Sequence, residues 1–282
     1  MAENFVIRTM KKDELDFAIK LAANEGWNPG LYDLEPFYSA DQKGFLVGLL
    51  NDKPIACISA VSYQKKFGFI GFYIVVPELR VKGYGIQIWN EGIKKLAGHN
   101  IALDGVFAQQ GNYKKSGFKF AYSNIRYQWN NAHAEYDSKN LFLASTIPFE
   151  LIEKYDNEFF PVSRKSFLES WIQMPASYSV VHQKNKEISG FGVIRKCRVG
   201  YKIGPLFADN ESIAENIFLD LTKHVQENEL IFLDVPEVNL HAVNLASRYK
   251  MQNIFGTARM YTGEFPDISV DRTYGVTTFE LG

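Results

Sequence analysis

Apolar and polar positions recur along this chain with two periods, one suited to strands and one to helices. FVIRTM (5–10) reads as a short strand. KKDELDFAIKLAANEG (11–26) follows as a helix, with Leu15, Ile19 and Ala22 on one face and Gly26 as a stop signal. A second short helix is predicted over LYDLEPFYSAD (31–41). GFLVGLL (44–50) and IACISAVSY (55–63), joined by NDKP, predict a hairpin, and Phe67 to Val76 extends it as a third strand. Ile86, Trp89, Ile93 and Leu96 mark the next helix; strand IALDGVF (101–107), a short helix around NYKKSGF (112–118) and strand FAYSNIRYQW (120–129) complete the set.

This order, βα(α)βββαβαβ, predicts an α/β fold of the α+β kind. The sheet should be mixed, antiparallel in the meander and parallel across the helical crossover after Val76. Residues 131–140, NAHAEYDSKN, are polar and aperiodic and read as a linker. The same order then starts again. LDGV (103–106) is answered by LDVP (233–236), and YKKSGFKFAYSNIRY (113–127) by YKMQNIFGTARMY (249–261), an internal repeat of about 130 to 136 residues. The expected organisation is a domain at 1–130, the linker, a second domain at 141–263 and a tail at 264–282. TYGVTTFEL within that tail predicts an edge strand or a cover over the domain boundary.

Charge and composition narrow the function classes. Lys plus Arg number 31 against 32 Asp plus Glu, with the basic residues in short clusters, so nothing predicts nucleic-acid binding. Cys57 and Cys197 stand in separate apolar stretches and are expected as reduced core residues. The five histidines are scattered, which speaks against a metal site, and Ser39, Ser145 and Ser163 lack a nucleophile elbow. The start of the chain lacks a secretory pattern, and the apolar stretch Phe67 to Pro77 falls short of the roughly 20 residues needed to span a bilayer. A soluble cytoplasmic protein without membrane partners is expected.

The chemistry concentrates in ELRVKGYG (78–85), between a strand and a helix. Glycines let backbone N–H groups approach a ligand, a helix start adds partial positive charge, and Arg80 and Lys82 add full charges. The loop is an anion-site candidate. A Walker loop is excluded, since no Gly-Lys-Ser/Thr follows. The dinucleotide fingerprint is incomplete because Ile88 stands where its third glycine belongs, although Asp104 lies at about the spacing of its ribose acid.

With RVKGYG as an Arg-x-x-Gly-x-Gly loop, YKKSGF as a later Tyr-x-x-x-Gly-Phe segment and this order of elements, the first 130 residues resemble the GNAT superfamily of acyl-CoA-dependent N-acetyltransferases. The resemblance implies that backbone groups of Val81, Lys82, Gly83, Tyr84 and Gly85 hold the CoA pyrophosphate, flanked by the Arg80 and Lys82 side chains. It implies that Val75 and Val76 offer backbone groups to the pantetheine arm. Tyr113 would protonate the departing thiolate; the alternative reading is an aromatic core residue. For a general base, Asp104 and Glu78 stand nearest by element. Asp104 has a counterpart in Asp234, which also suggests helix caps, and Glu78 also reads as a solvated charge.

Asn112, adjacent to Tyr113 rather than several residues before it, departs from the family pattern. It remains a cofactor-binding candidate with Gln109 and Gln110. Trp27, in the loop between the first helices, reads equally as an acceptor-site wall and as a buried turn residue. In the second half NESIAE (210–215) replaces RVKGYG, which implies a GNAT-like domain without its cofactor site, as in the tandem subfamily.

The expected activity is acetyl transfer from acetyl-CoA, without a metal, to the primary amine of a small molecule or amino acid. The alternatives are a non-catalytic acyl-CoA sensor, a tandem transferase of a longer acyl or aminoacyl group, and a scaffold in which RVKGYG only turns the chain. The oligomeric state stays open.

Overall fold

The computed structural model describes residues 4–282. The first half runs β1 (Phe5–Thr9), α1 (Leu15–Asn24), α2 (Leu34–Ala40), β2 (Phe45–Leu50), β3 (Lys53–Tyr63), β4 (Phe67–Val75), α3 (Tyr84–Lys95), β5 (Asn100–Val106), α4 (Gln110–Lys115) and β6 (Lys119–Asn130). The second repeats it: β7 (Leu141–Leu143), α5 (Phe149–Asp156), α6 (Lys165–Ile172), β8 (Ser177–Lys184), β9 (Glu187–Lys196), β10 (Tyr201–Ala208), α7 (Glu211–Thr222), β11 (Leu230–Pro236), α8 (Leu240–Arg248) and β12 (Gln252–Tyr261). A short β13 (Thr273–Gly275) follows. Among the described residues no helix is long and apolar enough to cross a membrane.

All these strands join one mixed sheet. Its order is β1-β2-β3-β4-β5-β12-β6-β11-β10-β9-β8-β7, with β13 added beside β10. The sequence left open whether two sheets would meet; here they are continuous. The order is the same from either end once each strand is exchanged for its repeat. The exchange happens in the middle: β12 lies between β5 and β6, and β6 lies between β12 and β11. Each half therefore completes its sheet with the other half's last strand.

Two buried ion pairs sit across this exchange. Asp104 on β5 accepts from Arg259 Nε and Nη2 on β12, at 2.8 and 2.6 Å. Asp234 on β11 accepts from Arg126 Nε and Nη2 on β6, at 2.7 Å each. The repeated aspartates are thus not helix caps, as their positions had suggested; Asn239 caps α8 by accepting from His241 N at 3.1 Å and Ala242 N at 3.2 Å. A buried carboxylate needs a full charge opposite it, and each Arg supplies one in bidentate geometry.

One face of the sheet carries α3 in the first half and α7 with α8 in the second, each over its own cluster of aliphatic and aromatic residues. On the other face α1, α2, α5 and α6 share a cluster that includes Phe37, Phe72, Trp171 and Phe207. Burying that apolar surface between the halves makes them one body. Residues 276–282 also enter this interior and are buried throughout. Arg164 Nη1 donates to the Gly282 oxygen at 2.8 Å, and Arg164 Nη2 to Thr277 Oγ1 at 2.9 Å. The alternation in TYGVTTFEL therefore makes no edge strand; β13 pairs with β10 inside the sheet.

Candidate functional site

Strands β4 and β5 pair in parallel only from Phe67 to Ile70 against Asn100 to Leu103. Beyond Ile70 they part. A bulge aids the parting: Cys57 and Ser59 face Ile74 and Gly71, so Ile58 alone opposes Phe72 and Tyr73, and Phe72 has φ of 47°. The gap opens into a cavity of about 480 Å³ lined by residues of both strands, by the loop after β4 and by Tyr113.

At one end lies RVKGYG. Val81 has φ of 55° and is fully exposed, and Gly83, which has no side chain to cap the helix with, has φ of 87° and precedes α3. The left-handed turn at Gly83 suits a residue without Cβ. At Gly85 an added Cβ would come 2.9 Å from Tyr73 Oη. The loop so formed presents the start of a twelve-residue helix, with its partial positive charge, toward the cavity mouth.

Charges around the loop are arranged differently from the expectation. Arg80 turns back, donating Nε to the Val75 carbonyl at 2.9 Å and Nη2 to Glu25. Val76 N–H is bonded to the Ile55 carbonyl at 2.9 Å. In strands, successive backbone groups point to opposite neighbours, so the Val76 amide faces β3 and not the gap. Lys82 is exposed and does not line the cavity.

Tyr113 stands in the cavity wall, 8% exposed, its ring 5.5 Å from that of Trp89. It fits because residue 105 is glycine: a Cβ there would overlap the Tyr113 ring. Burial, and secondarily the neighbouring Tyr73, pushes its hydroxyl up to about 12. It therefore keeps its proton at neutral pH and has one to give. Tyr73, whose hydroxyl burial also raises, lines the same cavity and was not singled out in the sequence.

The expected bases fare differently. Glu78 is exposed and does not line the cavity. Asp104 does line it, but its side chain is fully buried and both oxygens are held by Arg259, with Asn124 Nδ2 donating a third bond at 2.8 Å. Burial raises this carboxyl, and the guanidinium works the other way. Asn112 and Gln109 lie at the cavity rim, bonded to each other at 2.7 Å, while Gln110 is not part of the lining.

The remaining wall comes from residues distant in sequence. Trp27 lines the cavity, and its carbonyl accepts from Arg126 Nη1 at 2.8 Å and Lys202 Nζ at 3.4 Å. Asn28 and Val199 exchange two bonds of 2.9 Å, so the α1–α2 loop is held by the second half. Phe255, Thr257, Phe279 and Glu280 complete the wall. No local pattern marks these four. They reach the site only through the exchanged β12 and the buried final segment.

The corresponding gap in the second half is filled. Strands β10 and β11 pair only from Tyr201 to Ile203 against Ile231 to Leu233. Past that point Gly275 and Thr273 of β13 pair with Leu206 and Phe207, and Val276 N donates to the Asp234 carbonyl at 2.8 Å. The helix start that replaces RVKGYG is closed as well, because Asn210 Oδ1 accepts from Ile213 N at 3.0 Å.

Comparison with known proteins agrees with both halves. The acetyltransferase (GNAT) family pattern matches residues 10–118, and an acetyltransferase (GNAT) domain pattern matches residues 152–275. Holothin acyltransferase from Pseudoalteromonas sp. (strain SANK 73390) is 29% identical over 272 residues, 96% of this chain and 92% of that protein. A putative acetyltransferase from Pyrococcus horikoshii shares the fold, with TM-score 0.86 at 23% identity over 100% of this chain and 97% of the other. A tandem GNAT protein from the clavulanic acid biosynthesis pathway does so with TM-score 0.62 at 10% identity, over 93% and 100%. With two matched domains on one continuous sheet, the chain belongs to the GNAT acyltransferases and carries two of their domains in tandem.

Proposed function

We propose that the first half transfers an acyl group, acetyl in the first instance, from acyl-CoA to the primary amine of a small molecule. The open gap between β4 and β5, joined to RVKGYG at one end and Tyr113 within, carries this reading. In it the pyrophosphate lies on the backbone of residues 81–85 at the start of α3, with Lys82 adding charge. Arg80 keeps the loop against the end of β4. The pantetheine arm occupies the gap as a strand would.

Tyr113 protonates the thiolate as the carbon–sulfur bond breaks, a role its retained proton suits. Glu78 and Asp104 are dropped as bases, because one lies outside the cavity and the other is held by Arg259. The catalytic unit is residues 1–130 completed by β12 and segment 264–282; residues 141–263 form a unit without a cofactor site. Acyl-CoA as donor supports the cytoplasmic location expected from the sequence.

A second reading, transfer of a longer acyl group, is supported by the similar protein named for acyl rather than acetyl transfer. The test begins with thermal unfolding in acetyl-CoA and longer acyl-CoAs. A donor at 100 times its dissociation constant stabilises by about 2.7 kcal/mol, and Gly83→Glu should abolish that gain. Thiol release is then followed with holothin, benzylamine, tryptamine and phenylalanine as acceptors. No stabilisation by any acyl-CoA overturns the reading; stabilisation without turnover of any amine leaves a sensor.

A further inference from the structure

Among the described residues three carboxylates line the cavity: Glu25, Asp104 and Glu280. The first is tied to Arg80 and the second to Arg259. Glu280 is 3% exposed, yet no described residue donates a hydrogen bond to its carboxylate. Its backbone is fixed. Thr278 Oγ1 accepts from Glu280 N at 3.2 Å and Leu281 N at 2.9 Å, and Tyr63 Oη donates to the Leu281 carbonyl at 3.1 Å. The Glu280 carbonyl lies so close over Gly71, where β4 leaves β5, that any Cβ there would overlap it. A buried acid to which no described side chain donates a hydrogen bond, held at the parting of the strands, keeps acceptor capacity that a ligand could fill.

Building on the acyltransfer reading, we propose that Glu280 is the acceptor-side carboxylate of the first half's site. It receives the ammonium of a compact amine and takes its proton. The rest of that wall, Trp27, Phe72, Phe255 and Phe279, favours a flat apolar body on the amine. The cavity must also hold the acyl end of the donor, so the acceptor is small.

The ammonium gives one proton to Glu280, and the freed nitrogen lone pair attacks the thioester carbon. The carbon–sulfur bond breaks, Tyr113 protonates the thiolate, and the tyrosinate is restored by the second proton leaving the new amide nitrogen. Glu280 then releases its proton to solvent. The net products are the amide, the free thiol and one proton.

Other charges surround this acid. Arg126, Arg195 and Lys202 act on it from β6, β9 and β10. Arg126 is matched by Asp234 and Arg195 by Asp33, and Cys197 sits among them. Lys202 donates to the Trp27 carbonyl at 3.4 Å, and Cys197, Asp234 and Glu280 favour its charged form against burial and Arg126. A purely structural Glu280 would be the counter-charge of Lys202, and the experiment must separate the two roles.

Glu280→Gln and Glu280→Asp are compared with wild type using acetyl-CoA and whichever amine of the panel above turns over fastest. For Glu280→Gln, kcat/KM for the amine should fall about 100-fold at pH 7 while the acetyl-CoA dissociation constant stays within about twofold. Raising the pH toward the amine's own pKa should recover most of that loss, because solvent then does the deprotonation. Glu280→Asp keeps the charge, so KM for the amine should stay near wild type while kcat drops. Reduced thermal stability with wild-type kinetics in either variant, or a loss in Glu280→Gln that pH does not recover, overturns the proposal. Failure of the wild type to bind acetyl-CoA would instead reject the acyltransfer reading beneath it.

Discussion

The two halves share an element order and differ in what lies between their parted strands. In the first half, β4 and β5 separate after Ile70 and enclose a cavity. In the second, β10 and β11 separate after Ile203 and β13 pairs into the opening. One gap stays open as a cavity; the other is filled by the chain's own strand. The accompanying details point the same way. Gly83, which has no side chain to cap with, precedes α3, whereas Asn210 caps α7. Gly105 leaves room for Tyr113 in the wall, whereas its repeat is Val235 and the repeat of Tyr113, Tyr249, bonds Glu215 at 2.9 Å. A tandem fold thus leaves the gap of one half open as a cavity and closes that of the other with its own chain.

The largest effect expected on this comparison comes from the ion pairs that bind the exchanged strands. Arg259→Met should cost about 3–5 kcal/mol at pH 7.5, since it strands Asp104 in the interior with only Asn124 donating to it. Arg126→Met should cost less on the aspartate's account, because Lys202 and Arg195 still act on Asp234 against the burial that raises its carboxyl. The stranded Asp104, already raised by burial, would have a folded-state pKa above its unfolded one. The folded form then binds more protons than the unfolded, so the penalty should shrink as pH falls and persist above that pKa. Urea unfolding of both variants between pH 5 and pH 8 measures it. A pH-independent loss in Arg259→Met would show that packing against Phe69 and Tyr122, and not charge, dominates.

Much of the fold was legible because burial imposes local periods: the first hairpin, α1 and α3 stand where the alternation and the turn residues put them. The repeat was legible through LDGV and LDVP, but its meaning was not. A buried aspartate and a capping aspartate look alike until the partner strand is placed, and Arg259 lies 155 residues from Asp104. The candidate site divided in the same way. RVKGYG and Tyr113 stand out by local spacing, and Arg80, Val81, Gly85 and Tyr113 do line the cavity. Trp27, Phe255, Phe279 and Glu280 meet only because β12 crosses into the first half and segment 276–282 folds between the two, and pairing across the exchange leaves no periodic trace.

Tyr113→Phe should lower kcat about 100-fold, equivalent to about 2.7 kcal/mol, with the acetyl-CoA dissociation constant unchanged. Tyr249→Phe, its repeat, should leave kinetics untouched. Because Tyr113 lies at about 12, wild-type kcat should show no loss from its ionisation below about pH 11. Equal kinetics for wild type and Tyr113→Phe would remove the acid and return this residue to the aromatic wall beside Trp89.

The smallest effect tests the closed helix start. Asn210→Ala removes the acceptor for Ile213 N and should cost about 1 kcal/mol, read as a lower urea midpoint with an unchanged slope. It should leave acetyl-CoA affinity unaltered, because β13 still fills the second gap and Glu211 and Glu215 still carry negative charge on the first turns of α7. If the second half were closed to the ligand by its cap alone, Asn210→Ala would instead raise the binding stoichiometry toward two, measured by calorimetry. A stoichiometry that stays at one places the block in the filled strand gap, the feature that most sharply separates the two halves.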